Sequence, residues 1–495
     1  MGRLEDLCWK GRSARLEPFI DARKPRMNPP PDHPFVRLTL TPPGPITSQV
    51  SVEIRGAVHN STRSALSLEM RLELPDGATG ARASVTVPAG QARRLTARWS
   101  AAGAAGPQTF RLHASGSGAT WSTARTLEVL PSSTRGSRLL GGAWVSLTCW
   151  SEVEGTYWNA CLRTFTEEDW RELARGMHRL GMNLIILQHT WHHRAWYGTH
   201  YHTMTAENYR QTYAGQAFYP SRLWPGRMEI AARDPVEAIL DEADRLGMQV
   251  MLGVGLYAHF DYTAGSLAWH QDVLTELWER YGGHASLYGW YISEEMGGGL
   301  KPHETRYWDQ TETFRTEVLT FFRELRALCD RLAPETLIML APSSHHHDEA
   351  SETWAQLARS CDIFCIQGYQ RAPVDGVPVE ENIRRMQAIC DAAGNHLWMD
   401  LEAFGFEHPQ KSGPQREGYF RPLPNGTLDW IQVPLVPQSM EALSEDLARF
   451  TQFEFICAYQ YPGIFCAPDA KKVPGGPAAV RLFEAYRKYR TLSIK

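Results

Sequence analysis

The stretch GWYISEEM, Gly289–Met296, decides the reading of this chain. An apolar, aromatic run typical of a buried strand leads directly into two adjacent carboxylates, Glu294 and Glu295, and then into Gly297, Gly298 and Gly299. Further along, HLWMDLEAF repeats the design, with a strand pattern that ends in Glu402. Acids at the C-terminal ends of buried parallel strands are how a (β/α)8 barrel carries chemistry. Two carboxylates converging on one mouth point to acid/base or nucleophilic work on a glycosidic bond.

Working outward from that stretch, strands and helices alternate through the C-terminal two thirds of the chain. Strands are expected at Gly142–Cys149, Asn183–Gln188, Gln249–Val254, Leu287–Ser293, Leu337–Ala341, Ile363–Gln367, Leu397–Leu401 and Glu454–Tyr459. Helices fall between them at Glu167–Leu180, Pro235–Leu246, Leu267–Tyr281, Thr311–Leu332, Glu352–Ser360, Val379–Ala392 and Ser439–Thr451, with Ala478–Tyr489 closing the series. Thr166 and Asp234 stand where N-caps belong, and Pro235 suits a first helical turn. Gly181 and Gly247 each follow a helix and precede an apolar run, as left-handed C-terminal caps do. Eight such pairs, with no glycine-rich phosphate turn after the first strand, favour a closed barrel over a doubly wound sheet.

The N-terminal part differs. Residues 1–33 read as an irregular lead-in ending in Pro29, Pro30 and Pro31. Residues 34–131 alternate in short runs such as VRLTL, QVSVEIRGAVHN and RRLTARWS, separated by Gly, Pro, Asn and Ser turns. About seven strands in about a hundred residues suggest a small immunoglobulin- or fibronectin-like sandwich. PSSTRGSR, residues 131–138, is a linker, and the barrel occupies 138–495. The expected fold class is therefore α/β: a TIM barrel preceded by an all-β sandwich.

Composition narrows the function. A formal charge of −4 carries no basic footprint, so nucleic acid is not expected as a partner. No apolar run is long enough to span a membrane. The first residues lack the apolar core of a signal peptide, so a cytoplasmic location is the expectation, with a missing or truncated signal as the alternative. Nine cysteines without metal-type spacing, among them Cys149, Cys365 and Cys457, read as buried thiols. The sequence carries no signal for oligomeric state. The 17 Trp, 18 Tyr and 18 Phe stand out, because many fall in expected loops.

Alternation along a strand places Gly289, Tyr291, Ser293 and Glu295 on one side, and Trp398, Asp400 and Glu402 on one side. Glu294 stays a candidate, because parity weakens at strand ends and mutual repulsion of paired acids would keep one protonated. The loop after the second strand runs from Gln188 to Gly226, far longer than an ordinary connection. Its Trp191, Trp196, Tyr197, Tyr219 and Trp224 are rings suited to stacking on sugars, and Gln188 and His189 suit sugar hydroxyls. Trp150, Tyr257, His259, Gln367, Gln460 and Tyr461 lie at other strand ends. Amides, rings and imidazoles with few cations fit a neutral polyol. Arg416 and Arg421, in the loop after the seventh strand, are the cations that would meet a sugar carboxylate.

Strands four and seven resemble the catalytic strands of the clan-A (β/α)8 glycoside hydrolases. The resemblance covers the chain from about Gly141 onward. It implies Glu295 as acid/base, Glu402 as nucleophile and Tyr369, in CIQGYQ, as a tyrosine near the nucleophile. The clan usually has an asparagine before the acid/base, where this chain has Glu294. GWYISEE is also similar to the GWY-x-x-D-E-P stretch of less characterised glycosidase-like barrels, which again aligns Glu295 with the acid. The reading is a glycoside hydrolase without cofactor or metal, acting on a carbohydrate. Two alternatives stay open: a metal-dependent barrel hydrolase or isomerase using His189, His192, His193, His200, His202 and His345–His347, and a non-catalytic carbohydrate-binding barrel.

Overall fold

The computed structural model describes residues 28–116, 118–193, 215–223, 226–255, 262–294, 296–301, 311–371, 377–408, 410–416, 419–422 and 428–493. The chain begins with eight strands: β1 (Phe35–Thr41), β2 (Ile46–Thr47), β3 (Ser51–His59), β4 (Leu66–Glu73), β5 (Thr79–Val87), β6 (Ala92–Ser100), β7 (Gly106–Gly116) and β8 (Ala119–Leu130). They form two sheets, β1-β3-β6 and β2-β8-β7-β4-β5. Between the sheets lies a core that includes Val52, Ile54, Met70, Leu72, Phe110 and Leu112.

The rest is the expected barrel. Its elements are β9 (Gly142–Val145), α1 (Asn159–Arg163), α2 (Glu167–Arg179), β10 (Leu184–Leu187), β11 (Trp191–His193), β12 (Gly215–Ala217), α3 (Pro235–Leu246), β13 (Gln249–Gly253), α4 (Ala264–Tyr281), β14 (Leu287–Ile292), α5 (Thr311–Leu332), β15 (Leu337–Leu340), α6 (Ser351–Leu357), β16 (Ile363–Gln367), α7 (Val379–Ala393) and β17 (His396–Glu402). There follow β18 (Phe404–Glu407), β19 (Pro414–Gln415), β20 (Tyr419–Pro422), β21 (Leu428–Ile431), β22 (Leu435–Pro437), α8 (Met440–Arg449), β23 (Ile456–Tyr459) and α9 (Gly476–Ser493). Strands β9, β10, β13, β14, β15, β16, β17 and β23 close into one parallel ring. Local chemistry sets the helix ends. Thr166 and Asp169 form a reciprocal capping box on α2, and Asp234 accepts from Glu237 N at the start of α3. Gly181 and Gly247 adopt left-handed φ of 73° and 71°, as the sequence expects.

The first barrel strand stops at Val145, although Gly142–Cys149 reads as one apolar run. Cys149 belongs to a loop instead: its N–H and carbonyl are both held by the Asn159 amide, at 2.7 and 3.1 Å. Leu147 and Cys149 are nonetheless buried, in the packing outside the ring. Two packed regions surround the strands. Trp144, Leu184, Met251, Tyr288, Tyr291, Met339, Cys365, Trp398 and Cys457 fill the inside of the ring. Their alternates, such as Val145, Leu187, Trp290, Ile292 and Met399, pack outward against the helices.

The sandwich closes the N-terminal end of the ring with buried charges. Arg55 of β3 meets Asp362 at 2.6 Å and Glu53 at 2.7 Å. Glu53 faces His396 at 3.3 Å, and the other imidazole nitrogen faces Glu454 at 2.6 Å. His59 meets Glu335 at 3.0 Å. Tyr288, inside the barrel, donates to the Leu40 carbonyl of β1 at 2.9 Å. Burial by itself would push the Glu53 carboxyl up, and His396 and Arg55 outweigh it, leaving it well below the usual carboxylate range. Asp362 is likewise lowered, with Arg55 and Arg326 outweighing burial. Each buried charge therefore has an opposite partner, as burial of an ion demands.

Candidate active site

The C-terminal rim of the ring is built by the alternation of the strands. On β17, Trp398, Asp400 and Glu402 share the inward face, and Asp400 is in register with Gln367 of β16 and Cys457 of β23. Glu402 is in register with Tyr459. Both acids are nearly covered, at 3% exposure for Asp400 and 8% for Glu402. The main chain of Glu402 is clamped by side chains from two loops. Its N–H donates to Gln370 Oε1 at 2.8 Å, and its carbonyl accepts from Gln370 Nε2 at 3.0 Å and Gln438 Nε2 at 2.8 Å. Gln370 in turn donates to Asp446 of α8 at 3.1 Å, which Arg416 holds at 3.1 Å. Such a clamp fixes the backbone from which the carboxylate projects, and a rigid base under a functional side chain is what precise placement requires.

The rest of the rim, on both sides of β17, is polar and aromatic. The Ser146 hydroxyl donates to Gln188 Oε1, and Gln188 Nε2 donates to the Tyr459 hydroxyl at 3.0 Å. Trp144 meets Tyr291 edge-on at 5.9 Å and Tyr459 at 6.4 Å. Ser293, next inward residue after Tyr291, accepts from Gly255 N at 3.1 Å. Gln367 donates to the Ala341 carbonyl at 3.4 Å. A carboxylate beside amides, hydroxyls and ring edges has the groups that orient a polyol and attack or protonate at its edge.

A sequence-family profile described as a domain of unknown function, DUF4434, matches residues 140–472. The chain belongs to the DUF4434 family. The match covers the barrel and leaves the sandwich outside it. No curated relative matches the sequence. Among solved structures, the chain is similar to Bacteroides uniformis beta-glucuronidase 2, at 11% identity and a TM-score of 0.38, over 86% of this chain and 45% of that one. It is also similar to a GH2 beta-galacturonidase from Eisenbergiella tayi, at 12% identity and a TM-score of 0.36, over 92% and 72%. A putative beta-galactosidase from Bacteroides fragilis gives 10% identity and a TM-score of 0.36, over 86% and 54%. The DUF4434 chain thus spans less than half the length of the first of these.

Several expected site residues of the DUF4434 barrel take other places. Glu294 follows Trp290 and Ile292 onto the outer face of β14. There Oε1 lies 3.4 Å from His270 Nε2 of α4, and Tyr262 donates to its carbonyl at 2.8 Å. The Glu294 side chain is buried there, 1% exposed. Trp191 is fully buried, donating to the Tyr219 hydroxyl at 3.0 Å and packed edge-on against Trp269 at 5.4 Å. Tyr219 itself donates to Glu276 at 2.7 Å, so these rings form the inner packing of the β11–β12 hairpin and not a stacking platform. Tyr369 starts a tight turn after β16 that sends its hydroxyl to Asn382 Oδ1, 3.1 Å away, and not to Glu402. Tyr461 packs its hydroxyl against Gly176 of α2, outside the ring. Gln460 is fully buried, and its amide has no hydrogen-bond partner among the described residues.

The histidines divide in the same way. His189 alternates outward and stands edge-on to His192 at 4.2 Å. Burial, aided by His192, drives its imidazole well below the ordinary range, and burial takes His192 to about 3. His347 is pushed to about 4, again by burial first, and its Nδ1 faces Asn382 at 3.1 Å. His346 sits instead beside Glu349 at 3.2 Å. Among the described residues no group of three His, Cys, Asp or Glu side chains is arranged to hold a metal. Trp150 is half-buried beside the outer packing. Glu295, Tyr257, His259, His200, His202, Trp196, Tyr197 and Trp224 lie outside the described residues, as does the side chain of Arg421 on β20. Gln370, Gln438, Ser146 and Tyr459 are rim residues the sequence reading passes over. Tyr459 was accessible from the alternation Phe455, Cys457, Tyr459, whereas the two glutamines sit in loops whose return to Glu402 has no local signal.

Proposed function

We propose that this protein is a glycoside hydrolase that cleaves a bond in an oligo- or polysaccharide, with Glu402 as nucleophile and Glu295 as general acid/base, in a retaining mechanism. The observation that carries the reading is Glu402: an inward carboxylate at the C-terminal end of the seventh barrel strand, with its backbone clamped by two glutamines. Chemistry in this architecture sits at that end of the ring. The outward commitment of Glu294 to His270 supports Glu295 as the working acid of the adjacent pair. The resemblance of strands four and seven to clan-A hydrolases assigns the same two roles. In this reading Glu402 attacks the anomeric carbon while Glu295 protonates the departing oxygen, and Glu295 then activates the water that releases the sugar. Gln188, Tyr459 and Gln367 bind hydroxyls of the ring being cleaved. Asp400, one step beneath Glu402 on the same face, supports the nucleophile.

The test is hydrolysis of a panel of aryl glycosides and oligosaccharides by wild type, Glu402→Gln and Glu295→Gln, with and without EDTA. Both variants should lose activity by about 10²–10⁴-fold or more while staying folded. Full activity in either variant overturns its assigned role, and activity abolished by EDTA overturns the metal-free reading. Retention of anomeric configuration, followed by proton NMR of the first product, checks the stereochemistry.

A further inference from the structure

Most large apolar side chains in the described residues are covered, and the exposed ones are Val153, Tyr157, Leu223, Val473 and Leu492. Three of these five come together. Val153 and Tyr157 lie in the loop after β9, and Val473 lies in the loop after β23, where Gly475 N donates to the Tyr157 carbonyl at 3.1 Å. They are 42%, 46% and 38% exposed. Both loops leave the C-terminal end of the ring, the end that carries Glu402. Apolar groups gathered on a surface are costly to leave bare, and such gatherings mark binding sites.

The tyrosine is also fixed in place. Its hydroxyl lies 2.9 and 2.8 Å from the two carboxylate oxygens of Glu407 and donates to that group. The ring is therefore held at its tip with nearly half its surface open, and ordering it on binding costs little further entropy. Glu407 ends β18, which begins two residues after Glu402. Five extended residues reach at most about 17 Å, a span that several linked pyranose rings bridge. Between the two ends stands Phe404, half-buried, with its ring 5.9 Å from Tyr459 of the rim and 5.3 Å from Phe406. The loop of Tyr157 is tied to the same small sheet, because Leu435 N of β22 donates to the Glu154 carbonyl at 3.1 Å.

From this arrangement we infer that Tyr157, with Val153, Val473 and Glu407, forms an outer subsite that takes one pyranose ring of a neutral polysaccharide whose cleaved bond lies at Glu402. The inference rests on the hydrolase reading for the position of that bond, but not for the binding itself. An open tyrosine face stacks on the C–H face of a sugar, and a carboxylate at its edge accepts from sugar hydroxyls. The charged group in contact with the ring is the acid Glu407, and the cations nearby are taken up by acids of their own, Arg163 by Glu152 and Lys472 by Asp169. A carboxylate at the ring edge, with no free cation shown beside it among the described residues, suits the hydroxyls of a neutral chain better than the carboxylates of a uronate polymer. A sugar ring held at Tyr157 while the bond at Glu402 is cleaved must belong to a chain that reaches both places, so the substrate class is a polymer and not a disaccharide.

The experiment is affinity gel electrophoresis of the full chain carrying Glu402→Gln, with and without Tyr157→Ala, through soluble β-glucan, xyloglucan, galactomannan and polygalacturonate. Alongside it, Tyr157→Ala in the otherwise wild-type chain is assayed on an aryl glycoside. At least one neutral polymer should retard the protein. Tyr157→Ala should weaken that retardation by about tenfold, the effect of a lost ring–sugar stack, and leave aryl-glycoside turnover unchanged. Retardation equal with and without Tyr157, retardation by polygalacturonate alone, or no retardation by any neutral polymer overturns the inference. Tyr157-dependent retardation in a protein that hydrolyses no glycoside would uphold the subsite and remove the hydrolase reading instead.

Discussion

Replacing His396 with glutamine is expected to remove a pH-dependent share of the folding free energy. The imidazole stands at the base of β17, 2.6 Å from Glu454 and 3.3 Å from Glu53 of the sandwich. Burial alone would lower its pKa, and the two carboxylates outweigh burial and hold it at about 9, against an ordinary 6.5. The cation is favoured in the folded chain, so its stabilisation is complete below the unfolded value and drains away as pH rises through the folded one. The shift corresponds to about 3 kcal/mol at full protonation, roughly half that at pH 8, and about 0.4 kcal/mol at pH 9. Urea unfolding of wild type and His396→Gln, followed by tryptophan fluorescence at a series of pH values, reads this directly. The stability difference between the two proteins should shrink by about 2–3 kcal/mol from pH 6 to pH 9. A difference that stays flat across that range would refute the buried cation and the charge pairing built around it.

Two further substitutions separate packing from chemistry. Glu294→Gln should keep kcat/KM within about tenfold of wild type while costing about 1–3 kcal/mol of stability, because its outward carboxylate serves His270 and not the mouth; loss of turnover as deep as in Glu402→Gln would place it back in the site. Trp191→Ala should lower stability by about 3–5 kcal/mol, measured by urea unfolding, as expected for emptying a closed aromatic cluster; a variant as stable as wild type but with raised KM would restore Trp191 as a sugar-binding ring.

The barrel was legible because its signals are local. Gly181, Gly247 and the pair Asp234-Pro235 mark helix ends by backbone geometry alone, and apolar runs between them leave few topologies. Glu402 was legible for the same reason, since a strand end is a place in the pattern. What the pattern misjudged depends on partners distant in sequence. Trp191 reads as a site ring because it lies in the long loop after the second strand, and Tyr369 through the resemblance to clan-A hydrolases, yet Trp269, Tyr219 and Asn382 decide where they point. The overrun of the first strand has the same origin, because Asn159 turns Cys149 out of the sheet. The clamp on Glu402 is made by Gln370 and Gln438, and an amide in a loop looks like any other until the chain returns to meet it.

The sandwich floor has a consequence for traffic. Tyr288, Phe455 and Trp398 fill the lower barrel, and the Glu53–His396–Glu454 group lies beneath them. The ring is thus a cup and not a tube. Anything that enters at the rim must leave by the rim, so incoming substrate and outgoing product share one doorway. If a glycan is cut there, the fragment still seated in the cup bars the next chain until it departs, and product would compete with substrate as a matter of geometry.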